Sequence, residues 1–421
     1  MQRMFFQNLF QKINPRHRPL FFLNTSVGVT FVISVFITIF YQRSGSTLQF
    51  LDAYWMDIAF QACTAMIFIG PLIAAGAAWS YSSYFRSHVW EAARVRSDLF
   101  LSVRVGVPFV VVGLVSSGVS WGILIPYARY VPQGTTWFLP LINIFMICAA
   151  VCFGMFVGRY IQKYIAAPIC IVVSYAWLVL PQAYQPLWLR LPNGIYGGGG
   201  YGPSLAFQGK VGASAMLVSG GTVLASLIFL SFRNLWWGKI ISCLSFAICL
   251  TVAFVLVYGL GADPVVSRKT NMTCASSDGE TVCVWPEDRG QLQTVLSIIL
   301  RYKENMNKIG ISIPAVASED DNHSSFTFDA DGEISDEIIF PTLIQGMTAT
   351  SPTCVNPTSA AITAQGQLEL YFAYVSGLSM PFAENRFQAL PTRELEEVLK
   401  NPAMQHDWVV KSMATLKQCE S

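Results

Sequence analysis

Four cysteines stand in the C-terminal stretch 262–421, at Cys274, Cys283, Cys354 and Cys419. Thiols so placed offer oxidation to disulfides, metal ligation or nucleophilic attack, and the compartment decides among these. An even set in an exported segment reads as a disulfide framework. Four cysteines allow three pairings. The short Ser-Ser-Asp-Gly turn between Cys274 and Cys283 favours that pair, which leaves Cys354 with Cys419. The other six, Cys63, Cys148, Cys152, Cys170, Cys243 and Cys249, are scattered through apolar runs and suit packing.

Other chemistry-bearing patterns lack the context they need. Gly118-Val-Ser120-Trp-Gly122 has the spacing of a nucleophile elbow, but that motif requires a strand-turn-helix and a later acid and histidine. Inside an apolar helix, Gly118 and Gly122 read as a helix-packing face, as do Gly154 and Gly158, and Ala74, Ala75, Ala77 and Ala78 around Gly76. The glycines of 197–202 fit G-x-G-x-x-G without a preceding strand and read as a flexible aromatic-glycine loop. Asp329-Ala-Asp331-Gly332 puts its glycine at position four, where a calcium loop has it at six, so the acidic run from Glu319 through Asp329, Asp331 and Glu333 to Glu337 reads as a solvated loop. All four histidines, His17, His88, His323 and His406, fall outside the apolar runs, and neither a Walker A sequence nor H-E-x-x-H occurs. The expectation is a non-enzyme without catalytic residues, metal or cofactor. Asp57, with Gln61 one turn deeper on the same face, has two readings: a polar lining of an outward-facing cavity, or a carboxylate at headgroup level.

The elements that carry these residues follow from composition. Hydrophobic residues make up 53% of the 421 and charged ones 12%, against roughly 25% charged in a soluble chain. Seven runs reach span length: 23–41, 56–80, 100–125, 138–160, 164–180, 213–232 and 240–260. The fifth is short, contains Pro168 and follows the fourth so closely that the two form either a tight hairpin or a partly re-entrant pair. Residues 1–261 hold 16 Lys and Arg against 4 Asp and Glu, while 262–421 hold 11 against 21, so the two parts carry +12 and −10. With the N-terminus inside, the inner flanks carry 11 basic residues and the outer ones 4. That bias sets the N-terminus in the cytoplasm and, after seven spans, the tail outside.

The predicted organisation is a cytoplasmic amphipathic segment 1–22, a transmembrane domain 23–261 and an extracytoplasmic, disulfide-containing domain 262–421. In fold class this is an all-α transmembrane bundle of about seven helices followed by a small α-rich α+β domain. In the tail, helices are predicted at 286–308, 359–375, 392–400 and 402–416, and strands at 311–316 and 326–328. Localisation in the cell membrane follows, with no nucleic-acid partner.

The run VCVWPED at 282–288, with Cys274 upstream and GPLIAAGAAW at 70–79, resembles a group of actinobacterial multi-spanning proteins described as permease-like components of ABC transporters. The resemblance implies a subunit similar to type-2 ABC permeases, partnered with a separate ATPase, in a homo- or hetero-oligomer, and exporting or giving immunity to a peptide or lipid-like compound. It also implies that an N-terminal helix at 4–13 lies on the inner face and that the loop 84–98 couples to the ATPase through Arg86, Trp90, Glu91, Arg94 and Arg96. The alternative is a membrane-anchored extracytoplasmic binding or sensing protein without transport activity. Six spans with both ends inside are usual in that family, against the seven counted here.

Overall fold

Backbone that crosses hydrocarbon has no water to bond, so each apolar run must close its hydrogen bonds internally as a helix. The computed structural model describes residues 25–44, 54–86, 97–128, 134–197, 201–202, 204–232, 236–269, 272–320, 326–328, 334–348 and 358–416. Two compact units emerge, Met1–Ser267 and Arg268–Ser421.

The first unit is built from α1 (Thr25–Arg43), α2 (Trp55–Thr64), α3 (Met66–Phe85), α4 (Asp98–Leu124), α5 (Phe138–Tyr160), α6 (Lys163–Ala183), α7 (Gly209–Ser231) and α8 (Trp236–Val257). Counting α2 and α3 as one, seven helices among the described residues are long and apolar enough to cross a membrane, by length and composition. The second predicted span is broken at Ala65. Pro71 lies just beyond, and its ring and missing N–H exclude the regular bond to Ile67. The fifth is a continuous helix of 21 residues that packs on α3 and α5.

Small residues decide which helix is central. In the Trp55–Phe85 span, 83% of the apolar window is buried, against 17% for α6 and for α8. Ala74, Ala77 and Ala78 of α3 let α5 approach until the Gly154 and Gly158 positions touch the backbone of Ala74 and Ala78. Gly118 and Gly122 do not pack as expected. Both are exposed, with nothing near where a Cβ would stand. Their i,i+4 spacing puts them on one face of α4, but the face turned inward carries Phe109, Val112, Gly113 and Ser116, and Gly113 makes the close approach to Ile147. A short antiparallel sheet, β1 (Leu205–Phe207) with β2 (Val265–Ser267), completes this unit.

The second unit sets a three-stranded sheet, β3 (Thr273–Ser277), β4 (Glu280–Val284) and β5 (Val316–Ser318), beside α9 (Leu292–Lys308), α10 (Asp336–Thr348), α11 (Ser359–Ser376), α12 (Met380–Phe387), α13 (Arg393–Lys400) and α14 (Pro402–Thr415). Asp278 and Gly279 both take positive φ, 54° and 80°, the turn that matches the twist of a two-residue hairpin. Cys274 therefore faces Cys283 across β3 and β4, and the two form a disulfide. Cys354 and Cys419 lie outside the described residues. The acidic run is not a single solvated loop: Asp336 and Glu337 open α10, where acids suit the positive end of the helix dipole, and Glu319 is buried. Asp329, Asp331 and Glu333 lie outside the described residues. The predicted strand at 311–316 forms five residues later at its start, as β5, because Val316–Ser318 is the stretch in register with Thr281–Cys283.

Candidate functional site

Two features of the first unit are places where its interior departs from plain apolar packing. One is a polar seam joining α1, α2, α4 and α5. Gln42, fully buried near the end of α1, donates through Nε2 to Ser120 Oγ at 2.7 Å and to the Gln61 carbonyl at 3.2 Å. Ser120 Oγ donates to the Ala62 carbonyl at 3.1 Å. Nearby, Asn143 Nδ2 of α5 donates to Ser117 Oγ of α4 at 2.9 Å. Such bonds hold spans together because hydrocarbon offers a free amide or hydroxyl nothing else. Asn143 Oδ1 and Ser116 Oγ, both buried, have no hydrogen-bond partner among the described residues.

Asp57 and Gln61 belong to this region. Both are buried, Asp57 completely, so the carboxylate is enclosed by protein. It sits in the first turn of α2, where the helix dipole favours negative charge. Above it, Phe60 packs against Tyr196, Tyr201 and Phe207, with ring centroids 5.4, 5.0 and 5.7 Å apart. The aromatic residues flanking the glycine run are thus anchored, and Tyr196 is buried. Burial, then Asp263, holds the Tyr201 phenol above its ordinary range, Arg190 opposes, and Asp57 adds to the rise.

The other feature is an apolar cavity of about 280 Å³. Its back wall is Met66 and Gly70 of α3, and its floor comes from Met146 and Ala150 of α5 with Val218 and Ser219 of α7. Val173, Trp177 and Phe246, from α6 and α8, stand at its mouth, and Asn193 closes one end. Asn193 is spent on the fold: its Nδ2 donates to the Leu178 carbonyl and its Oδ1 accepts from Ile195 N. Thr222 Oγ1 likewise donates to the Val218 carbonyl. The lining therefore offers an entering molecule mainly hydrocarbon.

Of the residues implied in ATPase coupling, Arg86 caps the end of α5, donating through Nη2 to the Tyr160 carbonyl at 3.2 Å. Trp90, Glu91, Arg94 and Arg96 lie outside the described residues, as does 4–13. Neither the cavity nor the seam beyond Asp57 and Gln61 was expected from the sequence. The signal that existed for the seam was a set of lone amides, Gln42 and Asn143, within apolar runs.

In the second unit, Trp285, the Glu287 side chain and Asp288 form a buried knot, while Pro286 between them is exposed. Trp285 is fully buried, and its backbone N–H donates to Glu319 Oε2 at 2.6 Å. Arg268 lies over the indole at 5.0 Å and pairs with Glu287 at 2.8 Å, both side chains less than 8% exposed. Asp288 is buried beside them in the sequence. The arrangement is an ion pair stacked on an aromatic plate, which fixes the chain at the start of α9; no group of three or more potential metal ligands occurs among the described residues. A second groove of about 400 Å³, more polar than the first cavity, lies between α11, α13 and α14, lined by Thr363, Gln367, Thr392, Glu394, Trp408 and Lys411, among others.

No curated protein and no solved structure matches the chain. Residues 282–419, within the second unit and beginning at the VCVWPED run, match a family model described as a domain of unknown function (DUF7224).

Proposed function

We propose that the chain is a permease-like membrane subunit that works with a separate ATPase to export, or give immunity to, a lipid-like compound or an apolar peptide. The observation that carries this reading is the apolar cavity among five helices of the first unit, with space for a ligand and almost no polar group left to hold a hydrophilic one. The basic bias of the flanks supports a cytoplasmic N-terminus, an outward tail and a cell-membrane location, with 84–98 on the side where an ATPase docks. Trp90, with the arginines around it, has the character of an interface anchor. The sequence itself carries no nucleotide-binding loop, so an energy-coupled role requires a partner.

The test is a pull-down in mild detergent, read by mass spectrometry and by ATP hydrolysis. The wild-type chain recovers an ATPase, and the Trp90→Ala/Glu91→Ala double variant, which keeps the positive charge of the loop, recovers much less. Recovery of none with the wild type, or of equal amounts with both, overturns the reading.

A second reading, a membrane-anchored binding or sensing protein, draws support from the second unit, which has its own core and its own groove of mixed polarity. It takes precedence if no ATPase is recovered.

A further inference from the structure

The cavity walls differ in what lies outside them. Its back and floor come from α3, α5 and α7, in spans buried over 83%, 56% and 39% of their apolar windows, whereas α6 and α8 are buried over only 17%. Val173, Trp177 and Phe246, which line the cavity from those two helices, are themselves exposed, at 46%, 39% and 36%. The helices diverge in their supports: α6 leans on α3 and α5, α8 leans on α7, and both touch the 3₁₀ segment Leu187–Asn193. The result is a cleft between α6 and α8, closed at the end where Asn193 stands and open along its side.

The outward surfaces of both helices are apolar, with Ile171, Val172 and Leu180 on one and Leu244, Ile248 and Val255 on the other. Helices of this kind face hydrocarbon. What lies outside the mouth is therefore the bilayer interior.

We infer that the cleft between α6 and α8 admits an acyl chain of a bilayer lipid sideways from the membrane into the cavity. This deepens the permease reading and rests on it only in taking the cavity as the ligand chamber. A lining that is mainly hydrocarbon, with Ser174 and Ser219 among its few polar side chains, holds water poorly, and about 280 Å³ is nearly twice the roughly 150 Å³ apolar cavity that holds a benzene ring. The space takes one segment of chain and not a whole lipid, so the headgroup stays outside. Gly70 keeps the back wall open: a Cβ there would reach ordinary contact with Leu178 and Met66, at 3.6 and 3.7 Å, and a longer side chain would project further into the space.

The full chain in phosphatidylcholine vesicles, containing a phospholipid with a photoactivatable diazirine in one acyl chain, gives the test. After irradiation, labelled positions are mapped by mass spectrometry. Label concentrates on the buried lining positions Met146 of α5 and Val218 and Ser219 of α7, compared with the exposed face of α4 around Val107 and Val111. Ala150→Phe, which fills the floor, lowers the interior label roughly tenfold while the α4 label stays constant. Gly70→Leu is the second variant, should the first fail to fold, and the melting temperature in detergent reports folding for both. Label confined to outward faces, or interior label that survives both folded variants, overturns the inference. So does interior label from a diazirine fatty acid but none from the phospholipid, which would make the occupant a free acid. These outcomes are independent of ATPase recovery, so chain entry and the permease reading fail separately.

Discussion

Gly154→Ala tests the close approach on which the first unit depends. A Cβ built at Gly154 falls 2.9 Å from the Ala74 carbonyl carbon and 3.1 Å from its Cα, with the carbonyl oxygen nearer still. Those atoms are backbone, and no rotamer can move them aside. The same geometry recurs one turn on, where Gly158 meets Ala78, so α3 and α5 must separate along two turns. Overpacking of this kind costs about 1–3 kcal/mol, and a backbone clash belongs at the upper end. Alanine in place of glycine returns about 1 kcal/mol through helix propensity. The net loss is about 2 kcal/mol, roughly a thirtyfold shift toward the unfolded state. Gly118→Ala is the control, because nothing stands near its Cβ position, and it gains up to about 1 kcal/mol. The assay is labelling of the buried thiol of Cys63 by a reactive dye as the detergent-solubilised protein is heated. The reasoning fails if Gly154→Ala labels at the wild-type midpoint, or if Gly118→Ala lowers it as much.

Glu287→Ala removes one carboxylate partner from the nearly buried Arg268 guanidinium, and should cost the second unit up to about 3–5 kcal/mol in a chemical melt, with Glu287→Gln milder; an unchanged midpoint would refute the ion pair as described. Burial raises the carboxyl of Glu369, against hydrogen bonds from Gln365 and Thr348, so the native state holds that proton more tightly than the unfolded state. Stability from this group is therefore full at low pH and falls as pH rises from the unfolded carboxylate value through the raised native one; Glu369→Gln should flatten that slope and be the more stable protein at neutral pH. Removing the Cys274–Cys283 bridge, which closes nine positions, by Cys274→Ser with Cys283→Ser should cost about 2–3 kcal/mol, read as a lower unfolding midpoint under non-reducing conditions.

The spans were legible because the signal is a bulk property: some twenty apolar residues in a row leave a chain no other low-energy structure in hydrocarbon. The break at Ala65 was less visible, since Pro71 marks a kink without saying where the helix gives way. In the tail, the turn chemistry of Asp278-Gly279 identified the loop and brought the two cysteines together, but the strands on either side, TCASS and ETVCV, are short and lack clean alternation. The helix Asp336–Thr348 was hidden by Pro341 in its interior and by the acidic run ahead of it, which reads as one solvated stretch. Composition of a run does not reveal that its first member, Glu319, will be drawn inward to accept from the Trp285 backbone N–H.

The packing faces expose a different limit. Gly118/Gly122 and Gly154/Gly158 are equivalent as sequence, two glycines at i,i+4 in an apolar helix, yet one pair faces outward and the other meets a neighbour's backbone. What separates them is the partner. Gly154 and Gly158 find the matching small residues Ala74 and Ala78 at the same one-turn spacing, and two smooth surfaces in register can close to backbone contact. The seam follows the same logic. Gln42 and Ser120 are 78 positions apart, and each alone is a polar residue that a span tolerates. Together they satisfy each other, and with Gln61 they fix α1, α2 and α4 at one level. Asp57, one turn before Gln61 on the same helix, is buried on the same element that this pairing fixes. A carboxylate's burial is thus set by which helices enclose it, and its place near the end of its own apolar run is a poor guide where, as at α2, that helix packs against α4 and α5, with Trp55 of its first turn already against Trp121.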